Sequence, residues 1–566
     1  MACAALSATA QDDLTKEITV ETDYTPTERL AAKLNALPAV SRPEATTARI
    51  TYSDWAVPAE VPATAPLMMP YGYLTTRDYP RWRGHLDASI GTRLNLRGNF
   101  GYRLIDTDAT ELALWLRHNS NWTGRNKSDY LPAGLDDAQK QKYNDNTIGF
   151  NLSHTVYKGT LTASAFYHRD NFNYYGGYTL ADSVYSTSLW DTGDYKQTVN
   201  EAGASIGWES RKRNRTSHYS ISLAYNYFAF SKGLLQNSGN KGNSDNHLTA
   251  TFNAQTTSTV ATAIGLDASI DYLSRSWQGT DGDSTATAAT KNLGMLTLAP
   301  YLRYAGDGVS ARVGAVVNIS LSDGATLRLA PRIDASMALA DRVFLYLDAT
   351  GGKRLTTLRE IYRSNRYINP CSQLSSSYSP LDGEMGFKIG PFKGFHAKVY
   401  CGYGIFKDMA MPSLSAEEPV THSTTYAATD LKGVKVGAEV GYNHGKAAQL
   451  TIKATFAPQD GDDGYFLGHD RAQFTGDIIV AVTPSDRLTV DANCQLRCRR
   501  RVYSPDDGTC ADLGDVTRLN LGAKYRLSET LTLFAQGYNL FNSKWDTAYG
   551  MSDWPIGLLA GFSLLF

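Results

Sequence analysis

Strict two-residue alternation governs this chain, and it is cleanest in the last ten residues, 557–566 (GLLAGFSLLF). One parity carries Leu558, Ala560, Phe562, Leu564 and Phe566. The other carries Leu559, Gly561, Ser563 and Leu565, a smaller and more polar set. Successive strand side chains point to opposite faces, so such a segment can meet hydrocarbon on one side and water on the other. An edge strand of a large soluble sandwich alternates too, and this segment alone leaves both readings open.

Repetition separates them. Tyr219, Ile221, Leu223, Tyr225 and Tyr227 oppose His218, Ser220, Ser222, Ala224 and Asn226. Ala311, Val313, Ala315, Val317, Ile319 and Leu321 oppose Arg312, Gly314, Asn318 and Ser320. Leu519, Leu521, Ala523, Tyr525 and Leu527 oppose Arg518, Asn520, Lys524 and Arg526, and Leu450, Ile452, Ala454 and Phe456 oppose Thr451, Lys453 and Thr455. In every case the charges keep to one parity. A lipid-facing Arg or Lys at the bilayer midplane costs about 2–4 kcal/mol, so a membrane imposes this segregation where a soluble sandwich does not. The expected fold is all-β: a transmembrane antiparallel β-barrel over residues 83–566.

Composition agrees. The chain has 566 residues and a net charge of −1, so it lacks the basic footprint of a nucleic-acid binder. Mean hydropathy is −0.33 and no run of 18 apolar residues occurs, which excludes a spanning helix. Barrel strands escape that test, because only alternate residues are apolar. The 34 tyrosines and 9 tryptophans suit membrane interfaces, and the 48 glycines suit turns and strand curvature.

Connections alternate between short and long when counted back from Phe566. Short ones contain Ser528-Glu529, Pro484-Ser485-Asp486, residues 443–446 and 390–394, Ala340-Asp341, Gly306-Asp307-Gly308, Thr257-Ser258 and Lys158-Gly159. Long ones span residues 542–555, 504–514, 458–465, 409–423, 353–377, 278–290, 231–246, 173–197 and 121–145. Short periplasmic turns and longer external loops are the outer-membrane pattern, and they predict about 22 strands. A barrel of that size encloses a lumen that normally holds a plug.

Family resemblance enters on particular stretches. A final strand that ends on Phe566 is similar to those of bacterial outer-membrane barrels. Residues 533–541 (LFAQGYNLF), with Asn539-Leu540-Phe541-Asn542 followed by Trp545, Tyr549 and Gly550, resemble the penultimate strand and loop of TonB-dependent outer-membrane receptors. Leu329-Ala330-Pro331-Arg332, residues 355–362 (LTTLREIY), Asn369-Pro370 and Glu384-Met385-Gly386 resemble that family's mid-barrel stretch. The resemblance implies solute transport across a bacterial outer membrane, contact with its lipid and lipopolysaccharide, and TonB as a partner.

The N-terminal part departs from the family. Residues 1–10 read as the remnant of an export signal, with Ala8-Thr9-Ala10 forming an A-x-A cleavage pattern. Residues 11–82 are too few for the family's plug domain. Pro26, Pro38, Pro43, Pro58, Pro62, Pro66 and Pro70 make this stretch irregular. Glu17-Ile18-Thr19-Val20-Glu21 resembles a TonB box, which adds a strand to its partner, and it reads equally as an ordinary extended stretch. A barrel without a plug needs its lumen filled by this segment, by loops or by a partner; otherwise it conducts passively.

Candidate chemistry is thin. Gly203-Ala204-Ser205-Ile206-Gly207 matches the G-x-S-x-G pattern but is expected mid-strand, without the strand–turn–helix elbow that nucleophile requires. Cys371, Cys401, Cys494, Cys498 and Cys510 make no complete disulfide framework. On a strand, Cys494 and Cys498 lie roughly 13 Å apart. Arg497 and Arg499-Arg500-Arg501 are expected as solvated charges at a strand tip, with anion or lipopolysaccharide phosphate binding as the sharper alternative. Asp460, Asp462 and Asp463 are expected as an acidic turn rather than a calcium loop. Tyr174, Tyr175, Tyr178 and Trp190 either stack on a ligand or pack their loop over the mouth. No cofactor, metal or catalytic residue is assigned. Transport is the leading expectation. The alternative is a structural or assembly subunit whose lumen is closed by a surface lipoprotein or a plug-supplying partner.

Overall fold

The computed structural model describes residues 82–122, 141–175, 178–179, 196–210, 217–233, 241–277, 289–322, 326–372, 374, 376–413, 420–421, 423–461, 472–503, 510–548, 551–553 and 555–566. The chain divides at Arg77/Asp78, and all that is described belongs to the second unit, Asp78–Phe566. That unit is a closed antiparallel barrel of 22 strands, each hydrogen-bonded to its sequence neighbour. Closure comes from the first strand, Gly84–Gly91, pairing with the last, Gly557–Leu565, in register from His85↔Leu565 to Gly91↔Leu559. Phe566 completes the seam. Its amide donates to the Gly84 carbonyl at 3.0 Å, the Gly84 amide donates back at 2.7 Å, and its ring stacks beside Phe100 and Tyr102.

The predicted faces are observed. Tyr219, Ile221, Leu223, Tyr225 and Tyr227 are all exposed on the outer surface, as are Val313, Leu521, Ile452, Phe456, Leu558 and Phe562. In a soluble protein such a belt would be an association hazard; around a closed barrel it is the surface that meets lipid.

Both barrel termini lie at one end, the turn end. Connections there are tight: Asp307 and Gly308 both adopt positive φ (52° and 74°), the two-residue turn that matches strand twist. Lys393 and Gly394 repeat that arrangement between Phe392 and Phe395. The opposite, loop end carries the long connections. Two connections at that end differ from expectation: Thr92–Leu94 is a single 3-10 turn, and only six residues separate Ser320 from Leu327. The first contains neither Gly nor Pro; the second carries Asp323-Gly324, a turn signal in a connection too short to stand out among the long ones.

Among the described residues one α-helix breaks the all-strand pattern. Leu358–Ser364 lies in the connection between Val343–Leu355 and Ser376–Phe392. Its start is encoded locally: the Thr357 hydroxyl accepts from the Glu360 amide at 3.2 Å, the Thr-x-x-Glu capping pattern.

Candidate functional site, a polar lumen with in-folded loops

Alternation delivers every second residue of 22 strands to the lumen, and strand register decides which of them meet. Lys388 faces Lys398, which faces Glu439, then Lys453, Asp477, Gln495 and Arg518 on consecutive strands. Within this belt Glu384 gathers Lys398 at 2.9 Å, Lys435, and the Tyr346 hydroxyl at 2.7 Å. Aromatic plates brace the same wall. The Tyr301 ring lies across Gly265, where a Cβ would collide with ring carbon, and Arg312 stacks on the ring at 4.4 Å. Tyr400 covers Gly437 in the same way, with Lys398 at 4.7 Å and Lys435 at 5.1 Å from its centroid. Cation–π contact of this kind holds long side chains flat against the wall.

At the loop end the lumen is not open wall. Residues 356–372 fold inward and pack on the inner faces of consecutive strands. Asp145, Asp170 and Glu201, all of inward parity, stand on Lys142–Val156, Gly159–Asn173 and Lys196–Ser210. Arg366 reaches Asp170 at 2.6 Å and Asp145 at 3.3 Å. Arg359 and Arg363 converge on Glu201 at 2.5 and 3.1 Å. His168 bridges Asp145 at 3.1 Å and Glu201 at 3.5 Å. Farther round, Arg275 makes a bidentate pair with Asp245 (2.6 and 2.7 Å), both fully buried, and donates to the carbonyls of Leu374 and Thr356. Asp245 also accepts from the Leu358 amide at 2.8 Å, fixing the helix start. Bidentate Arg–carboxylate geometry is the strong form of this interaction.

Apolar contacts fill the space between these pairs. Leu358, Ile361 and Tyr362 from the helix pack against the inward Phe172, Phe228 and Phe230. The Tyr362 ring sits 5.3 Å from Phe228, and its hydroxyl donates to Asp170. Burial, with the Asp170 charge beside it, pushes the Tyr362 hydroxyl well above its ordinary pKa, so it stays a donor. Burial also pushes Tyr367 up to about 12, opposed by Arg366. Other loops join: Tyr174 donates to the Ile368 carbonyl at 2.9 Å, the Tyr175 ring meets Tyr367 edge-on at 4.8 Å, and Met551 of the last loop is fully buried here. Thr424 pairs with Ile368, and Asn365 donates to the Thr424 hydroxyl at 2.7 Å.

These contacts decide several expectations. Tyr174 and Tyr175 pack the loop end and are not ligand platforms. The side chain of Tyr178, and Trp190 altogether, lie outside what is described; so do Glu17-Ile18-Thr19-Val20-Glu21, Asp462 and Asp463. The arginine cluster is corrected in part: Arg499 and Arg501 are exposed, as expected of a strand tip, and the other two are not. Arg497 faces the lumen and pairs with Asp477 at 2.8 Å, and Arg500 is buried, donating to the Asp546 carbonyl at 2.6 Å beside Trp545. Neither is a solvated tip charge, because the strand end is covered by inward-folded chain. Ser205 stands mid-strand, bonded to Ser164 at 2.8 Å, with no helix following. Cys494 and Cys498 occupy one strand as free thiols, and the described residues hold no group of metal-binding side chains.

Asn539-Leu540-Phe541-Asn542 is a structural turn closing the Leu531–Tyr538 strand. Asn539 and Asn542 take positive φ (44° and 51°), a region asparagine tolerates well. The buried Asn539 side chain accepts from the Ser543 amide and donates to its carbonyl, and Asn542 accepts from the Ile556 amide. The lumenal carboxylates and the arginines of residues 356–372 escape sequence reasoning. Thr357 with Glu360, and arginines at helical spacing after it, are the signals available.

No protein-family model and no curated protein matches the chain. Solved structures do. The ferric enterobactin receptor of Pseudomonas aeruginosa superposes with a TM-score of 0.65 at 13% identity, over 86% of this chain and 81% of the receptor. The ferripyoverdine receptor of the outer membrane of Pseudomonas aeruginosa, bound to ferripyoverdine, gives 0.61 at 13% identity, over 86% and 72%. At such identity the likeness is one of fold, and the chain has the barrel fold of these bacterial outer-membrane receptors.

Proposed function

We propose that this protein is an outer-membrane transporter that admits a solute through its barrel. A single observation carries the reading: a closed 22-strand wall, apolar outside and charged inside, surrounds a lumen wide enough to hold folded loops. Outer-membrane lipid and lipopolysaccharide contact the belt. Ferric chelates are the first solutes to test, because the superposed receptors are named for them. On this reading residues 11–82 serve as an extended lumenal or rim segment rather than a folded plug, and residues 17–21 pair with TonB by strand addition.

Purified protein in liposomes reads the main proposal, through solute-dependent swelling and single-channel conductance. Polypeptide that stays monodisperse in buffer without detergent would sink it. Replacing Ile18 and Val20 with proline is expected to abolish uptake of an identified solute, and unchanged uptake removes TonB coupling. The packed loop end favours one rival reading, a scaffold subunit closed by a surface lipoprotein or a plug-supplying partner. A silent barrel that co-purifies with such proteins from native membranes supports it.

A further inference from the structure

The inner wall at the loop end carries three carboxylates that His168 of the wall bridges in part and residues 356–372 pair with arginines. Asp145 and Asp170 stand directly opposite in register, and Glu201 lies opposite His168 on the next strand. Like charges placed across a sheet repel. Each of the three carboxylates is matched by an arginine of the in-folded loop: Arg366 for Asp145 and Asp170, Arg359 and Arg363 for Glu201. The loop depends on the wall in turn. A helix of seven residues does not hold itself together in water, and this one takes its first amide partner from Asp245 and its apolar seat from Phe172, Phe228 and Phe230.

The structure holds this loop docked, and beyond its own seven-residue helix it is supported by the wall and the neighbouring loops, so its limiting alternative is release. Docked, it is helical, charge-paired and inside the lumen. Released, it is unfolded in external water, with arginines and carboxylates each hydrated. Exchanging buried pairs for hydrated charges nearly cancels, so the ion pairs set where the loop docks while the packing of Leu358, Ile361, Tyr362, Tyr367 and Ile368 is what release must give up. The Arg363 side chain is already more than half exposed.

We propose that residues 356–372 are an autoinhibitory strap, bolted across the loop-end lumen by the Arg359/Arg363–Glu201 and Arg366–Asp170/Asp145 pairs, which must leave the wall before solute passes. This rests on the transport reading above. Cys371 lies on the strap and is partly buried, so the rate at which its thiol is modified reports strap position independently of transport. The experiment compares four refolded proteins in liposomes: the parent chain, Glu201→Arg, the swap Glu201→Arg with Arg359→Glu and Arg363→Glu, and a barrel whose residues 356–372 are replaced by a glycine–serine linker. Heat-modifiable electrophoretic mobility confirms that each barrel has folded. Swelling in small sugars is read for all four, and modification of Cys371 by a bulky maleimide, located by mass spectrometry, for the three that retain it.

Glu201→Arg is expected to raise both rates at least fivefold, and the swap is expected to return both toward the parent. Faster modification with unchanged swelling overturns the gate, as does a folded Glu201→Arg barrel with parental values of both. The linker barrel separates this proposal from the one beneath it. If it swells while Glu201→Arg does not, the barrel is a pore and the charge-held strap is wrong. If even the linker barrel is impermeable, the strap gates nothing and the transport reading falls with it.

Discussion

The membrane-facing belt and the loop end of this barrel are built by different rules. In the belt a residue's role follows from its parity: Leu223 meets lipid because it sits between Ser222 and Ala224 on a strand, whatever lies across the lumen. At the loop end, roles follow from partners 158 to 226 positions away, as in Arg359 with Glu201 and Gln141 with Tyr367. The belt is therefore tolerant of exchange within a face and intolerant between faces. The loop end is a small conventional core, with buried ion pairs and edge-on aromatic rings, formed inside a cavity that would otherwise be wet.

Measurement can overturn that contrast, using urea-dependent folding into lipid vesicles as a common scale. Asp245→Ala should cost most, about 3–5 kcal/mol, because it strands the buried Arg275 guanidinium. A loss under about 1 kcal/mol would mean the loop end is solvated and is no core. Leu223→Arg should follow at about 2–4 kcal/mol, with Ser222→Arg far milder since it points to the lumen. Equal costs would put water on both faces.

Gly265→Ala probes the wall between these regions. Its new methyl group would collide with the Tyr301 ring, and about 1–3 kcal/mol is expected, relieved in a double variant with Tyr301→Ala. No relief would locate the strain in the strand backbone. The smallest effect is expected for Ser205→Ala. It loses one hydrogen bond to Ser164, about 0.5–1.5 kcal/mol, and leaves permeation and any hydrolytic background untouched. A hydrolytic activity that vanished in this variant would reopen the nucleophile reading.

Much of the barrel is legible in the residue order alone. Period-two alternation encodes the face each residue presents, because strand geometry has no other option. Strand number follows from turn chemistry; of the two connections this overlooks, 92–94 has no Gly or Pro, while 321–326 carries Asp323-Gly324 in a span far shorter than the other loop-end connections. Asn539 and Asn542 are recognisable as a signature, though their task is to hold two left-handed backbone positions.

The order of residues along the chain specifies the wall: an all-β polypeptide with lipid on one parity and water on the other, closed by its last strand. The contents of the lumen are settled only in three dimensions. Register across strands brings Asp145, Asp170 and Glu201 into one patch, and the fold of a distant connection brings Arg359, Arg363 and Arg366 to it. Alternation is a property of one strand and can be read along it. Shear and loop docking are properties of many strands at once, and no local pattern carries them.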